Sequence, residues 1–479
     1  MEAPGYHTTG FKPKSEPSLQ EQGLSSWGRL ARHVLVLCTG SSVAQLLVIG
    51  CSPILTRLVL PEQFAAFGFH QAALTILTLL LTLQFEGAIP IPQSPRQSRL
   101  LLQLAVATAA SLSLLSFLLS ALWIALGQPG LTWLPATVLL LVPICAGAEA
   151  LARCYRLCNI RDGRFAEMSL IRVSQTAVSV PIQLVCGWLG WLQFGLAGGD
   201  AVGRWIAAGY AAAIDRARLR ETSEPAPVSP AESPTSWRDY WQIAVEFRRF
   251  PLLVSPGVLL AASANLLPAL VLPNLHGPQF AGQFALANRS VLMPLLLISQ
   301  AVTAVYVSNS SRLVRERSPA LRQLIRRTAW QMAGLGLLLM LTAACSGPLL
   351  FPWIFGQNWV TAGQLVPYLA LAGFAQFVGG PVNQVLVLLG GELRKFGMNC
   401  LAAGAVVTTF LLAWQFHWSP FVTTAAYVLT ILAVQTLYLW QSVLMVDQQV
   451  QLWSRDHAPA GGEASGPALP AADYIQQAA

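Results

Sequence analysis

The sequence is poor in charge. Only 10% of its 479 residues are Asp, Glu, Lys or Arg, against roughly 25% in soluble domains, which excludes a water-solvated globule and requires most of the surface to face lipid or protein. Lysine is scarcest, with Lys12, Lys14 and Lys395 set against 26 arginines; we read that bias as genomic base composition, without functional weight. The eight cysteines lie in or at the ends of apolar stretches, which excludes a disulfide framework. Cys154 and Cys158 stand four apart with no nearby set of His or acidic partners, so they read as packing residues rather than a metal pair. No connection on the basic-poor side exceeds about seven residues and no glycine-rich phosphate loop occurs. An enzyme is therefore not expected: no catalytic residues, no metal ligands and no cofactor are assigned. The first apolar stretch lacks a small-residue cleavage pattern and reads as an uncleaved signal anchor.

Apolar residues, 54% of the chain, fall into twelve stretches: 34–58, 64–84, 99–126, 133–152, 168–187, 194–214, 250–272, 280–307, 329–355, 361–389, 398–416 and 420–446. Each can cross roughly 30 Å of hydrocarbon as a helix. Six alternate connections, Leu60 to Gln63, Gly127 to Thr132, Gly187 to Gln193, Asn274 to Gln279, Gly356 to Thr361 and Gln415 to Pro420, contain no Lys or Arg. That alternation predicts a twelve-span membrane protein with both termini cytoplasmic. The net charge of +8 then places basic loops beside anionic lipid and gives no reason to expect nucleic acid.

Residues 216–239 (RARLRETSEPAPVSPAESPTSWRD) are rich in Pro, Ser and charge and predict a cytoplasmic linker. It separates an N-lobe of helices 1–6 (30–215) from a C-lobe of helices 7–12 (240–446). Residues 1–29 form a cytoplasmic tail, and 447–479 are expected to be disordered. The halves echo each other: LPEQFAAFGFHQAALTILTLLL (60–81) follows the first span and HGPQFAGQFALANRSVLMPLLL (276–297) the seventh. Each half has an even number of spans, so the repeat is parallel. The expected fold is all-α, with two six-helix lobes around a central cleft.

Charge within a span is the sharpest functional signal, because an Arg or Asp at a helix centre costs roughly 2.5–3.5 kcal/mol on insertion scales and needs a cavity or a partner. Arg289 lies midway along the eighth span with no acid three or four residues away. Arg57 ends the first span, near enough to the interface to snorkel. Asp200 and Arg204 share one face of the sixth and can neutralise each other, as Glu149 and Arg153 can at the end of the fourth. Arg153, Arg156, Arg172, Arg248 and Arg249 cluster at the cytoplasmic ends and read chiefly as topology determinants. The second half has no carboxylate within its spans, so a coupling ion, proton or sodium, would use Glu86, Glu149 or Asp200.

SPILTRLVLPEQFAAFGFHQAALTILTLLLTLQFEGAIPIP (52–92) resembles the opening of polysaccharide biosynthesis flippases, the family that handles O-antigen precursors. Residues 247–302 are similar to the start of that family's second half, and FGQNWVTAGQLVPYLA (355–370) to its tenth helix with the preceding loop. One departure is Ala65, where the family carries glycine. The resemblance extends to the superfamily holding the multidrug and toxin extruders and the lipid II flippases. It implies a flippase that carries an isoprenoid (undecaprenyl)-pyrophosphate-linked oligosaccharide between leaflets by alternating access. Membrane lipids and the polysaccharide polymerase machinery would be its neighbours. The family's cationic cleft maps onto Arg57, Arg289, Arg153 and Arg249. A cation-coupled drug antiporter and an oligosaccharide polymerase or ligase are the rival expectations. The scarcity of carboxylates disfavours the first, and the lack of a large outer loop the second.

Overall fold

The computed structural model describes residues 44–221 and 236–456. The tail 1–29, the start of the first span, the middle of the expected linker and the end of the chain lie outside them. Among the described residues there is no strand. The helices are α1 (Ala44–Leu58), α2 (Pro61–Leu81), α3 (Pro95–Ala125), α4 (Ala136–Arg161), α5 (Phe165–Trp188), α6 (Leu192–Glu221) and α7 (Trp237–Glu246). They continue as α8 (Ser255–His276), α9 (Pro278–Arg315), α10 (Ala320–Phe355), α11 (Val360–Val382), α12 (Val385–Leu388), α13 (Glu392–Gln415) and α14 (Pro420–Asp456). Among the described residues ten helical segments are long and apolar enough to span a membrane. The other two expected spans are α1 and the 30-residue α6, whose apolar character is diluted by glycines, Asp200 and Arg204.

Local sequence sets many boundaries. Pro61, Pro95 and Pro278 occupy first turns, where the missing N–H has no intrahelical partner to lose. Gly277 and Gly356, at φ +85° and +105°, break the chain between α8 and α9 and after α10, in a region that a side chain would strain.

Four expected boundaries are corrected. The fourth span does not stop at 152: α4 runs to Arg161 and ends before Gly163 at φ +70°. The linker is shorter than 216–239, because α6 continues to Glu221 and α7 begins at Trp237. The tenth span is two helices, α11 and α12, parted just after Pro381. The tail does not begin at 447, since α14 continues to Asp456. There Val446, Val450 and Trp453, spaced four and three apart, form a helical stripe buried against Leu321 and Ile325 of α10.

The largest apolar core crosses between the two halves. α2 packs against both α8 and α9, and α9 against α11. The close approach of α9 to α2 requires Gly282, because a Cβ there would sit 1.7 Å from the Pro61 carbonyl oxygen. At the basic-poor face the halves are also tied by hydrogen bonds. Trp359 Nε1 donates to the Thr56 carbonyl at 2.9 Å, and Trp133 Nε1 donates to Asn274 Oδ1 at 2.7 Å. At the opposite face α7 is held to α3 by Tyr240 on Gln103 at 2.7 Å, with Arg96 lying 3.4 Å from Asp239.

Candidate functional site

Between the halves lies a cavity of about 510 Å³, lined by α1, α2, α4, α5 and α6 on one side and by α8 and α9 on the other. Its charged lining comprises Arg156, Arg172, Arg204 and Arg289 against Glu149 and Asp200, an excess of two positive charges. Amides and hydroxyls, among them Gln71, Gln175, Ser179, Asn265 and Asn288, complete a surface suited to a hydrated ligand. A second cavity of about 520 Å³ shares Thr75, Glu149, Arg156, Arg172 and Arg204 with the first and adds Arg153 and Gly87. The arginines therefore form a track from the centre of the bundle toward its basic face.

One network organises that track. Arg204 of α6 donates from Nε to Asp200 Oδ2 at 2.7 Å, from Nη1 to Glu149 Oε2 at 2.5 Å and from Nη2 to Gln71 Oε1 at 3.0 Å. The other Glu149 oxygen accepts from Arg156 Nη2 at 2.6 Å. Glycine lets the helices close around it: a Cβ on Gly203 would meet the Gln175 carbonyl oxygen at 2.6 Å, so α5 can lie against α6 and bring Arg172 into the lining. Two carboxylates thus face two of the arginines, and among the described residues no carboxylate lies within ion-pair distance of Arg172 or Arg289. Arg289 projects from the opposite half with its guanidinium carbon 6.0 Å from the Phe67 ring centre.

The structure sorts the expected residues. Arg289, Glu149 and Asp200 line the central cavity. Arg153 lines the adjoining one and pairs with buried Glu86, Nε to Oε1 at 3.1 Å, so the expected Glu149–Arg153 pair is replaced by Glu86–Arg153 and Glu149–Arg156. Arg57 lies outside both linings: its Nη2 donates to the Trp353 carbonyl at 3.0 Å, at the basic-poor face. Arg249 also lies outside them, paired with exposed Glu392 at 3.1 Å. Arg156 and Arg172, assigned to topology by their sequence position, belong to the cavity. Position along the chain held no clue to this, because which face of α4 and α5 meets the cavity depends on how the helices pack.

His70 of α2 was not singled out by the sequence. It is fully buried with Nε2 3.4 Å from Asp200 Oδ2, and Cys145 of α4 completes a group whose side-chain N, O and S atoms lie within 4.8 Å of one another. Arg204 already occupies the Asp200 oxygen that faces His70, and a guanidinium there repels a cation; we assign no metal to this group. Cys154 is packed with Phe85, Ile89 and Leu101, and Cys158 lies against the same cluster.

Residues 30–148 match the family model described as polysaccharide biosynthesis protein. No curated protein matches the sequence. Among solved structures the fold is similar to the lipid II flippase MurJ in an inward closed conformation, with 11% identity over 90% of this chain and 94% of that one and a TM-score of 0.62. It is also similar to a multidrug resistance MATE family transporter of the MOP superfamily. The outward-facing form gives 12% identity, 89% and 96% coverage and a TM-score of 0.55; the inward-facing form gives 13%, 86% and 96%, and 0.54. The chain is an all-α polytopic protein with the fold of these transporters, and its first spans carry the sequence signature of polysaccharide biosynthesis proteins.

Proposed function

We propose that this protein is a flippase for an isoprenoid-pyrophosphate-linked oligosaccharide, moving the head group from the cytoplasmic to the outer leaflet during surface polysaccharide synthesis. The observation that carries the reading is the arginine excess in a cavity shared by both halves. A pyrophosphate brings at least two negative charges that lipid will not solvate, and guanidinium forks donate paired hydrogen bonds to its oxygens. Arg289 on one half and Arg172 with Arg204 on the other hold the anion between bodies that must move relative to each other. The amides and hydroxyls replace water around the sugars, and the isoprenoid tail stays in the bilayer.

In this reading the basic face is cytoplasmic, and the arginine track through the second cavity is the entry route. The tryptophan hydrogen bonds at the opposite face close the exit. Alternating access requires those bonds to part while the cytoplasmic side closes. A cationic drug would be repelled by the same arginine excess, so an anionic head group fits better than a drug/cation exchange.

The test is expression in a bacterium lacking its own flippase. Restoration of surface polysaccharide by the natural chain, lost on replacing both Arg204 and Arg289 by Ala at normal abundance, is the expected result. Restoration undiminished by that double change would refute the anion cavity.

A further inference from the structure

His70 is a buried imidazole with no use so far. It is 0% exposed, and neither ring nitrogen has a hydrogen-bond partner among the described residues. Its Nε2 stands 3.4 Å from the Asp200 oxygen that also accepts from Arg204. The charged or titratable groups beside it are Asp200 on α6 and Cys145 on α4; Arg204 reaches the same Asp200 oxygen and also holds Glu149 on α4, and Arg289 on α9 lines the cavity opposite. α8 contributes only uncharged residues to this cavity. His70 itself does not line it; its neighbour Gln71 does, bound to Arg204.

We propose that His70 is a proton-binding site linked to the anion site, so that a proton is taken up as pyrophosphate binds. This rests on the reading of the cavity as a pyrophosphate site. An anion drawing on Arg204 loosens the guanidinium from Asp200. A proton on His70 then restores a cation beside that carboxylate and satisfies a ring nitrogen. Conversely, the protonated imidazole shares Asp200 with Arg204 and leaves the guanidinium freer to turn toward phosphate. Each ligand raises the affinity of the other by the same factor. The sign has a consequence for energy coupling. A proton that binds together with the anion leaves with it or returns to the side it came from, so its influx cannot drive export through this site. His70 and Asp200 set affinity, and a coupling carboxylate is to be sought at Glu86 or Glu149.

The experiment uses the full chain in lipid nanodiscs and inorganic pyrophosphate as probe. Calorimetry in two buffers of different ionisation heat counts the protons exchanged, and pyrophosphate's own ionisation is common to all variants. Expected is an extra uptake of up to one proton, with affinity falling by up to about tenfold per pH unit over the range in which it is taken up. Both effects should be absent from His70→Asn, which still binds pyrophosphate as the natural protein does at high pH. An unchanged proton count in His70→Asn overturns the proposal and leaves the anion site standing. Failure of the natural chain to bind pyrophosphate overturns the anion reading and the linkage with it. The imidazole ¹⁵N resonance that disappears in His70→Asn then reports the proton site alone and is expected to show the ring gaining a proton as the pH is lowered; a ring that stays neutral throughout removes the site as well. Stoichiometric cobalt(II) binding, with a thiolate charge-transfer band lost in Cys145→Ser, would show a metal in the proton's place and also overturn it.

Discussion

Arg204 and Glu149, 55 positions apart in sequence, meet at 2.5 Å between Nη1 and Oε2, and the contact joins α6 to α4 at the wall of the central cavity. Through it a helix-pair ion match, Asp200 with Arg204, becomes part of a five-member polar network with Gln71 and Arg156. Arg156 and Arg204 are held by carboxylates and still have donors left over for a ligand, because a guanidinium carries five N–H groups.

Arg289→Ala should lower transport about ten- to hundredfold, since hydrogen bonds to charged groups contribute roughly 1.5–3 kcal/mol. Membrane abundance should be unchanged. Arg289→Lys should recover only part of the loss, a point charge having replaced a planar fork. Flux of a labelled lipid-linked saccharide into vesicles, normalised to protein, provides the check.

Two ion pairs should respond differently to the loss of one partner. Glu149→Gln leaves Arg156 and Arg204 short of their shared counter-charge inside the lobe, and about 3–5 kcal/mol of destabilisation is expected. Glu392→Gln breaks only the exposed contact to Arg249, where about 0–1 kcal/mol is the usual range. Thermal unfolding of both variants in one detergent should show a lowered midpoint for the first and almost none for the second.

Gly282→Ala places a methyl where the Pro61 carbonyl oxygen stands 1.7 Å away, so α9 must move from α2. A loss of about 1–3 kcal/mol is expected from overpacking. Gly334→Ala, at a position with open space around it, should be nearly silent. Comparable unfolding midpoints for the two would contradict the packing of the halves described above.

Trp359→Phe keeps an aromatic ring near Phe64 but deletes the bond to the Thr56 carbonyl. The closed exit should weaken by about 1 kcal/mol, moving the population of outward-open molecules roughly fivefold. Spin labels at Gly130 and His417, in turns of the same face on the two halves, should report a larger share of long distances. An unaltered distribution would remove that bond from the gate.

The proposed orientation has its own check: reporter fusions after residues 130, 190, 276 and 358 should behave as external. Cytoplasmic signals at two or more of these positions would invert the entry and exit sides.

The residues of α2 and α9 show how far the sequence carries. Their apolar length made both helices readable in advance, because crossing hydrocarbon imposes length and composition locally. Arg289 was legible for the same reason: an arginine in mid-span is costly wherever the chain goes. Partners were not legible. Sequence spacing matched Glu149 with Arg153, whereas packing turns Glu149 to Arg156 and to Arg204 on another helix. Arg156 and Arg172 looked like topology markers until α4 and α5 brought them to the cavity, and Arg57 and Arg249 looked like cavity arginines until their positions at opposite faces were fixed. His70 gave no signal at all, since one histidine in an apolar helix is indistinguishable from a core residue without its neighbours. The sequence determined the spans, their alternation and the cost of each buried charge, which depend on local composition. Only the tertiary structure decided which charges share a cavity, because that depends on the rotation and approach of helices far apart in the chain.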